Sequence, residues 1–255
     1  YIEYKRRYEG LKQTFNPVNF DPQKWAIAAR DAGMKYVVFT TKHHDGFSMF
    51  DSKYTDYKVT APDSPFSSNP RANITKEIFN AFRQQGMLVG AYFSKPDWHN
   101  QNYWWPNFAT PDRNVNYDPL KYPERWKAFA DFTHNQVLEL MSDYGKVDIL
   151  WLDGGWVRKR PTEEMQQDYA RMVRESASGF IKSRVVNQDI HMDELVAKAR
   201  QRQPGLIVVD RAVYGKNQNY LTPEARVPPQ ALPYPWEVPM PMARSWSYVP
   251  NDVYK

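Results

Sequence analysis

The chain of 255 residues sets 34 basic against 29 acidic side chains, with no cysteine, 42% hydrophobic residues and 25% charged ones. That balance fits a packed globular domain and excludes a disordered tail, while the absent thiol excludes a disulfide scaffold, a cysteine nucleophile and a Cys-ligated zinc. The longest apolar runs, such as 36–39 and 206–209, fall far short of the about 20 residues a membrane helix needs, and the net charge of +5 is scattered rather than blocked, so neither membrane nor nucleic acid is an expected partner.

Residues 21–33 read as a helix, with Asp21 as N-cap, Pro22 at the first turn and Gly33 just past the end. Residues 35–41 follow as an apolar, β-branched run, the signature of a strand buried on both faces. The alternation then repeats. A helix over 75–85 precedes a strand over 87–93, a long helix over 123–144 precedes a strand over 147–153, a helix over 162–176 precedes a strand over 184–186, and a helix over 192–203 precedes a strand over 206–209. Helix and strand alternating in this way imply a parallel sheet, and the unit length favours an α/β fold of the (β/α) barrel, TIM-like type, incomplete or irregular in its wall. No glycine-rich phosphate loop follows any strand. Seven prolines between 223 and 241 forbid helix there and predict an irregular segment over one end of the barrel. The sequon Asn73-Ile74-Thr75 points to a secreted or periplasmic setting, although no signal peptide opens the chain.

In a parallel barrel the chemistry sits where strands end. Here those ends carry Lys42-His43-His44-Asp45-Gly46, Ser94-Lys95-Pro96-Asp97-Trp98-His99, Asp153-Gly154-Gly155-Trp156, Asn187-Gln188-Asp189 and Asp210-Arg211. Asp153 stands out, because an apolar strand delivers a carboxylate between Trp151 and Trp156 beside two glycines that leave room for a ligand. Such a group serves as nucleophile or base, or else caps the next turn. Adjacent His43 and His44 point to opposite faces of a regular strand, so they ligate one metal only if the chain turns there. With Asp45, His99 and Asp153 they would then suit a metal-dependent hydrolase. Carboxylates, imidazoles, an arginine and nine tryptophans together suit a polyhydroxylated substrate, and glycoside hydrolysis needs two carboxyl groups.

The stretch Lys35-Tyr36-Val37-Val38-Phe39-Thr40-Thr41-Lys42-His43-His44-Asp45-Gly46-Phe47, continuing to Ser52-Lys53-Tyr54-Thr55-Asp56, resembles the signature of the α-L-fucosidases of glycoside hydrolase family 29. The resemblance extends in order through Gly90-Ala91-Tyr92-Phe93-Ser94, Asp97-Trp98-His99, the strand ending at Asp153-Gly154, Val209-Asp210-Arg211, Tyr220-Leu221-Thr222-Pro223-Glu224, Pro235-Trp236-Glu237 and Ser245-Trp246-Ser247-Tyr248. It implies a single catalytic barrel over 1–255, without the C-terminal β-sandwich most members carry. It also implies a retaining exo-glycosidase that needs no metal or other cofactor, and an oligosaccharide or glycoconjugate substrate ending in α-L-fucose or L-galactose. The family nucleophile falls on Asp153. His43, His44, Tyr92, Trp151 and Arg211 fall on sugar-holding positions, and Trp246 falls on an aromatic facing the C5 methyl group. The acid/base falls on Glu224 by one motif and on Glu237 by another. Gln218 occupies a third position where many relatives carry Glu, and an acid lost there would leave a sugar-binding barrel rather than an enzyme.

Overall fold

The computed structural model describes residues 2–179, 184–213 and 215–254. Its elements are α1 (Ile2–Glu9), α2 (Pro22–Asp31), β1 (Tyr36–Lys42), α3 (Ile74–Gln84), β2 (Leu88–Ser94), α4 (Pro123–Asp143), β3 (Ile149–Asp153), α5 (Thr162–Ala177), α6 (Met192–Arg202) and β4 (Ile207–Val208). The helix starts follow the sequence reading. Asp21 accepts from the N–H of Lys24 at 3.1 Å and Asn73 from that of Lys76 at 3.3 Å, caps that each contribute about 0.5–2 kcal/mol. The amide nitrogen of Asn73 also donates to Tyr144, so the sequon residue is engaged in the fold. None of the described helices is long and apolar enough to cross a membrane.

The strands are parallel and ordered β1-β2-β3-β4, in sequence order. An open doubly wound sheet would reverse direction at a switch point; a barrel wall does not. Beyond β4 the wall continues as single parallel bridges, Val209 to Tyr220 and Leu221 to Trp236. The proline-rich segment is irregular, as expected. It does more than cover an end, however, because Leu221 donates its N–H to the Pro235 carbonyl and accepts from the Glu237 N–H. Glu237 then reaches back to Tyr36 on β1 at 2.7 Å, so the far end of the wall meets its beginning through a side chain.

Two expectations are corrected. Residues 184–186 form no strand; Arg184 instead ties this stretch to Asp112 and to the carbonyl of Val115. Strand β1 is not buried on both faces, since it is the edge of the sheet and Tyr36 is 42% exposed. Helix α1 was not legible because it buries no residue and has no apolar stripe. Side chains hold it, chiefly Glu9 against His99 at 2.7 Å.

The central strands β2 and β3 carry the core. Val89, Ala91, Phe93, Leu150 and Leu152 are fully buried on the helix-facing side, with α3 packed on β1 and β2. Strand alternation therefore turns Tyr92, Ser94, Trp151 and Asp153 to the other side, the inner face. The register pairs Tyr92 with Trp151 and Ser94 with Asp153.

Candidate active site

Asp153 ends β3 with three donors on it. Oδ2 accepts from the Tyr92 hydroxyl at 2.6 Å, and Oδ1 accepts from the Gly154 N–H at 2.7 Å and from Arg211 Nη1 at 3.2 Å. His44 Nε2 stands 3.7 Å from Oδ2. Burial pushes this carboxyl toward its neutral form, but the Tyr92 and Gly154 bonds and the His44 and Arg211 charges outweigh it and hold Asp153 below the usual carboxylate range. Gly154 is required by geometry: its φ is +81°, and a Cβ there would sit 2.3 Å from Pro96 Cδ.

The two histidines do share a site. The ladder skips Thr41, since Thr40 pairs with Tyr92 and Lys42 with Phe93, and this bulge breaks the alternation just before the pair. The chain then turns, with Gly46 N–H donating to the His43 carbonyl, and the two rings stand 4.2 Å apart. His43 stacks on Tyr92 at 5.7 Å, and Tyr92 on Trp151 at 5.2 Å. His44 packs between Trp98 and Trp156 at 5.3 and 5.1 Å. Burial is the main reason its pKa falls to about 4, with His43 adding to the fall and Asp153 opposing it. Nδ1 of His44 is buried without a hydrogen-bond partner among the described residues.

Arg211 joins the two candidate carboxylates. Its Nη1 lies 2.5 Å from Glu224 Oε2 and 3.2 Å from Asp153 Oδ1, so those oxygens are no farther apart than the two distances together. The guanidinium lies 4.6 Å over the Trp151 ring. Thr222 orients it by accepting from Arg211 Nε at 3.1 Å while donating to Asp210 at 2.7 Å. Glu224 is half exposed. Glu237 is held differently: Trp151 Nε1 donates to one oxygen at 2.5 Å and Tyr36 to the other at 2.7 Å. Gln218 is half-buried and Trp246 is 61% exposed; neither makes a hydrogen bond or ring contact with this cluster among the described residues. Asn187, Gln188 and Asp189 serve structure, Gln188 by accepting from Tyr103 and the Val115 N–H.

His43, His44 and Asp153 offer three donor atoms within 4.8 Å of one another, the number a catalytic metal takes from protein. The carboxylate of that trio already pairs with the Arg211 cation, which competes with any metal for it. Asp45 and His99 lie outside the trio. Burial and the neighbouring Asp97 raise the pKa of Asp45 to about 6.

Two buried lysines were missed by sequence reasoning. Lys42 pairs with Asp97 at 3.0 Å and with Gln136 at 3.1 Å, locking the end of β1 to the loop after β2 and to α4. Lys95 donates to the Arg211 carbonyl at 2.6 Å. Both end an apolar run, but lysine is so commonly exposed that this signal is weak. Beside these loops, α1 and residues Asp97, His99, Trp104 and Trp105 line an open cleft of about 1120 Å³, which does not include Asp153, His43, His44 or Arg211.

The alpha-L-fucosidase family model matches residues 1–255. Alpha-L-fucosidase 1 of Arabidopsis thaliana is 31% identical over 140 residues, 55% of this chain and 23% of the plant protein. Human plasma alpha-L-fucosidase is 28% identical over 162 residues, 60% of this chain and 31% of the human protein. Among solved structures, alpha-L-fucosidase isoenzyme 1 from Paenibacillus thiaminolyticus superposes with a TM-score of 0.72 at 33% identity, over 97% of this chain and 55% of that one. The Lactobacillus casei alpha-L-fucosidase in complex with alpha-L-fucose product gives 0.66 at 25% identity, over 97% and 68%. The chain thus spans about a quarter of the plant relative and about half of the Paenibacillus structure. A parallel wall in sequence order, the Asp153 cluster at its strand ends and a match along the whole length agree: the chain belongs to the alpha-L-fucosidase family.

Proposed function

We propose that the protein is a retaining exo-α-L-fucosidase with Asp153 as nucleophile and Glu224 as acid/base. The observation that carries this is the single nitrogen of Arg211 shared by the two carboxylates. Retaining glycosidases set their two carboxyl groups about 5–5.5 Å apart, while inverting ones leave roughly 6.5–9.5 Å for a water. The shared nitrogen keeps the nearest oxygens of the two groups close, which supports the first spacing. In the first step Asp153 attacks C1 as the C1–O bond breaks, and Glu224 gives its proton to the leaving oxygen. In the second, Glu224 takes a proton from water, the water oxygen bonds to C1 and Asp153 departs. Glu224 must leave Arg211 and take up a proton when substrate enters, which its half-exposed position permits.

Glu237 is the less suitable acid, because both of its oxygens are engaged, by Trp151 and Tyr36. His43, His44, Tyr92 and Arg211 are the hydroxyl-binding groups in this reading, with the unpartnered His44 Nδ1 as one free acceptor or donor. Trp151 backs these groups, stacked on Tyr92 and under the Arg211 guanidinium, and Trp246 is the contact to the sugar methyl group in this reading. The substrate is a terminal fucoside, in keeping with the alpha-L-fucose product held by the related Lactobacillus casei alpha-L-fucosidase. The setting is secreted or periplasmic. Proton NMR of early turnover tests the reading: α-L-fucose should form first, and β-L-fucose as first product would overturn it.

A further inference from the structure

Lys95 follows β2 directly, and its side chain is fully buried. Its Nζ donates to the Arg211 carbonyl at 2.6 Å, and its backbone N–H donates to the Asp153 carbonyl at 3.1 Å. One residue thus fastens both chain segments whose side chains meet in the Arg211–Asp153 ion pair. The charges facing the ammonium are Asp153 at the end of β3, Arg158 in the loop after it, and Asp210 and Arg211 after β4. Burial is the main reason its pKa falls to about 7, with Asp153 opposing the fall. Burying an ammonium costs stability that an apolar side chain of equal length would not, so the fold retains it at some cost beside its most reactive groups.

We propose that Lys95 is a positioning residue: it fixes the Arg211 carbonyl, and through that backbone the guanidinium that spans Asp153 and Glu224. This rests on the reading of those two carboxylates as the catalytic pair. Without the Lys95 bond, Arg211 would pivot away from Asp153, and Asp153 would lose a positive neighbour.

Lys95→Met keeps the side-chain length and removes donor and charge. On an aryl α-L-fucoside, with rates normalised to the fraction of sites trapped by a 2-fluoro fucosyl donor, kcat should fall about 20-fold or more with KM changed less than about threefold. The acid limb of the pH profile should move to higher pH. Should Lys95→Met fail to fold, Lys95→Gln carries the same measurements. An unchanged kcat per site with an unchanged acid limb overturns the proposal, because a structural role alone would lower only the folded fraction. A crystal structure of the variant decides independently of activity: Arg211 displaced from Asp153 supports the proposal, and Nη1 still on Asp153 Oδ1 rejects it. Wild-type protein that releases no fucose would reject the functional reading instead, and the crystallographic outcome would still decide for Lys95.

Discussion

Tyr92 gives its hydroxyl proton to Asp153 Oδ2 across 2.6 Å, from the strand next to the one that ends in the carboxylate. The bond holds Asp153 ionised, and burial beside the carboxylate pushes the phenol's own pKa far up, so the proton stays on Tyr92. Hydrogen bonds to charged groups contribute about 1.5–3 kcal/mol. Tyr92→Phe should therefore cost about 10–100-fold in kcat/KM and raise the acid limb of the pH profile, read on an aryl fucoside. A variant with wild-type rates and an unmoved acid limb would show that the bond does not tune the carboxylate.

Gly154 tests the backbone under the same site. Its positive φ and the 2.3 Å approach of a Cβ to Pro96 mean that Gly154→Ala adds both strain and a clash, roughly 2–5 kcal/mol of stability. A Cβ on neighbouring Gly155 meets nothing within 4 Å, so Gly155→Ala should leave the urea midpoint nearly unchanged. Equal midpoints for the two variants would contradict this.

The Lys42–Asp97 pair is buried on both sides. Lys42→Met leaves Asp97 charged and without its cation, at a cost of about 3–5 kcal/mol. Adding Asp97→Asn should recover much of that, since Asn keeps an acceptor for the N–H groups of His99 and Asn100. Urea unfolding of the single and double variants measures the coupling, and strictly additive losses would show that the charges do not interact.

Two groups make stability depend on pH with opposite signs. His44 titrates near 4 in the fold against an ordinary 6.5, so its contribution is full above 6.5 and is lost as pH falls toward 4. Asp45 titrates near 6 against 3.8, so its contribution is full below 3.8 and is lost as pH rises toward 6. His44→Gln should flatten the loss on acidification from pH 7 to 5, measured by urea unfolding. Asp45→Asn should remove the opposing gain and so steepen that loss. Parallel stability curves for wild type and variants would refute both assignments.

Much of this arrangement was legible in the sequence because it follows from local rules. Asp21 with Gly33 bounded a helix, apolar runs marked the central strands, and the strand-end rule singled out Asp153 before any family was considered. What stayed hidden depends on contacts distant in sequence. The edge position of β1 is invisible in an apolar run that reads as buried. The stretch 184–186 has strand composition but no ladder partner, and its Arg184 is drawn to Asp112 instead. Neither the Thr41 bulge that brings His43 and His44 together nor the burial of Lys95 has a sequence pattern of its own. The choice between Glu224 and Glu237 was open because both follow plausible motifs, and their partners, Arg211 against Trp151 and Tyr36, are the ground on which Glu224 is proposed.

Glu224→Ala should be slow on natural linkages, much less impaired on substrates with good leaving groups, and accelerated by azide with an α-fucosyl azide product, because azide needs no general base and attacks the β-linked Asp153 intermediate from the face the acid vacates. If Glu237→Ala behaves in this way and Glu224→Ala does not, the acid/base assignment moves to Glu237.

The central claim is that Asp153 forms the covalent bond to the sugar, and trapping measures it most directly. A 2-fluoro fucosyl donor, followed by proteolysis and mass spectrometry, should place one label per chain on Asp153, and Asp153→Asn should take up none. Label on any other carboxylate, or turnover of fucosides by Asp153→Asn at the wild-type rate, would contradict the account.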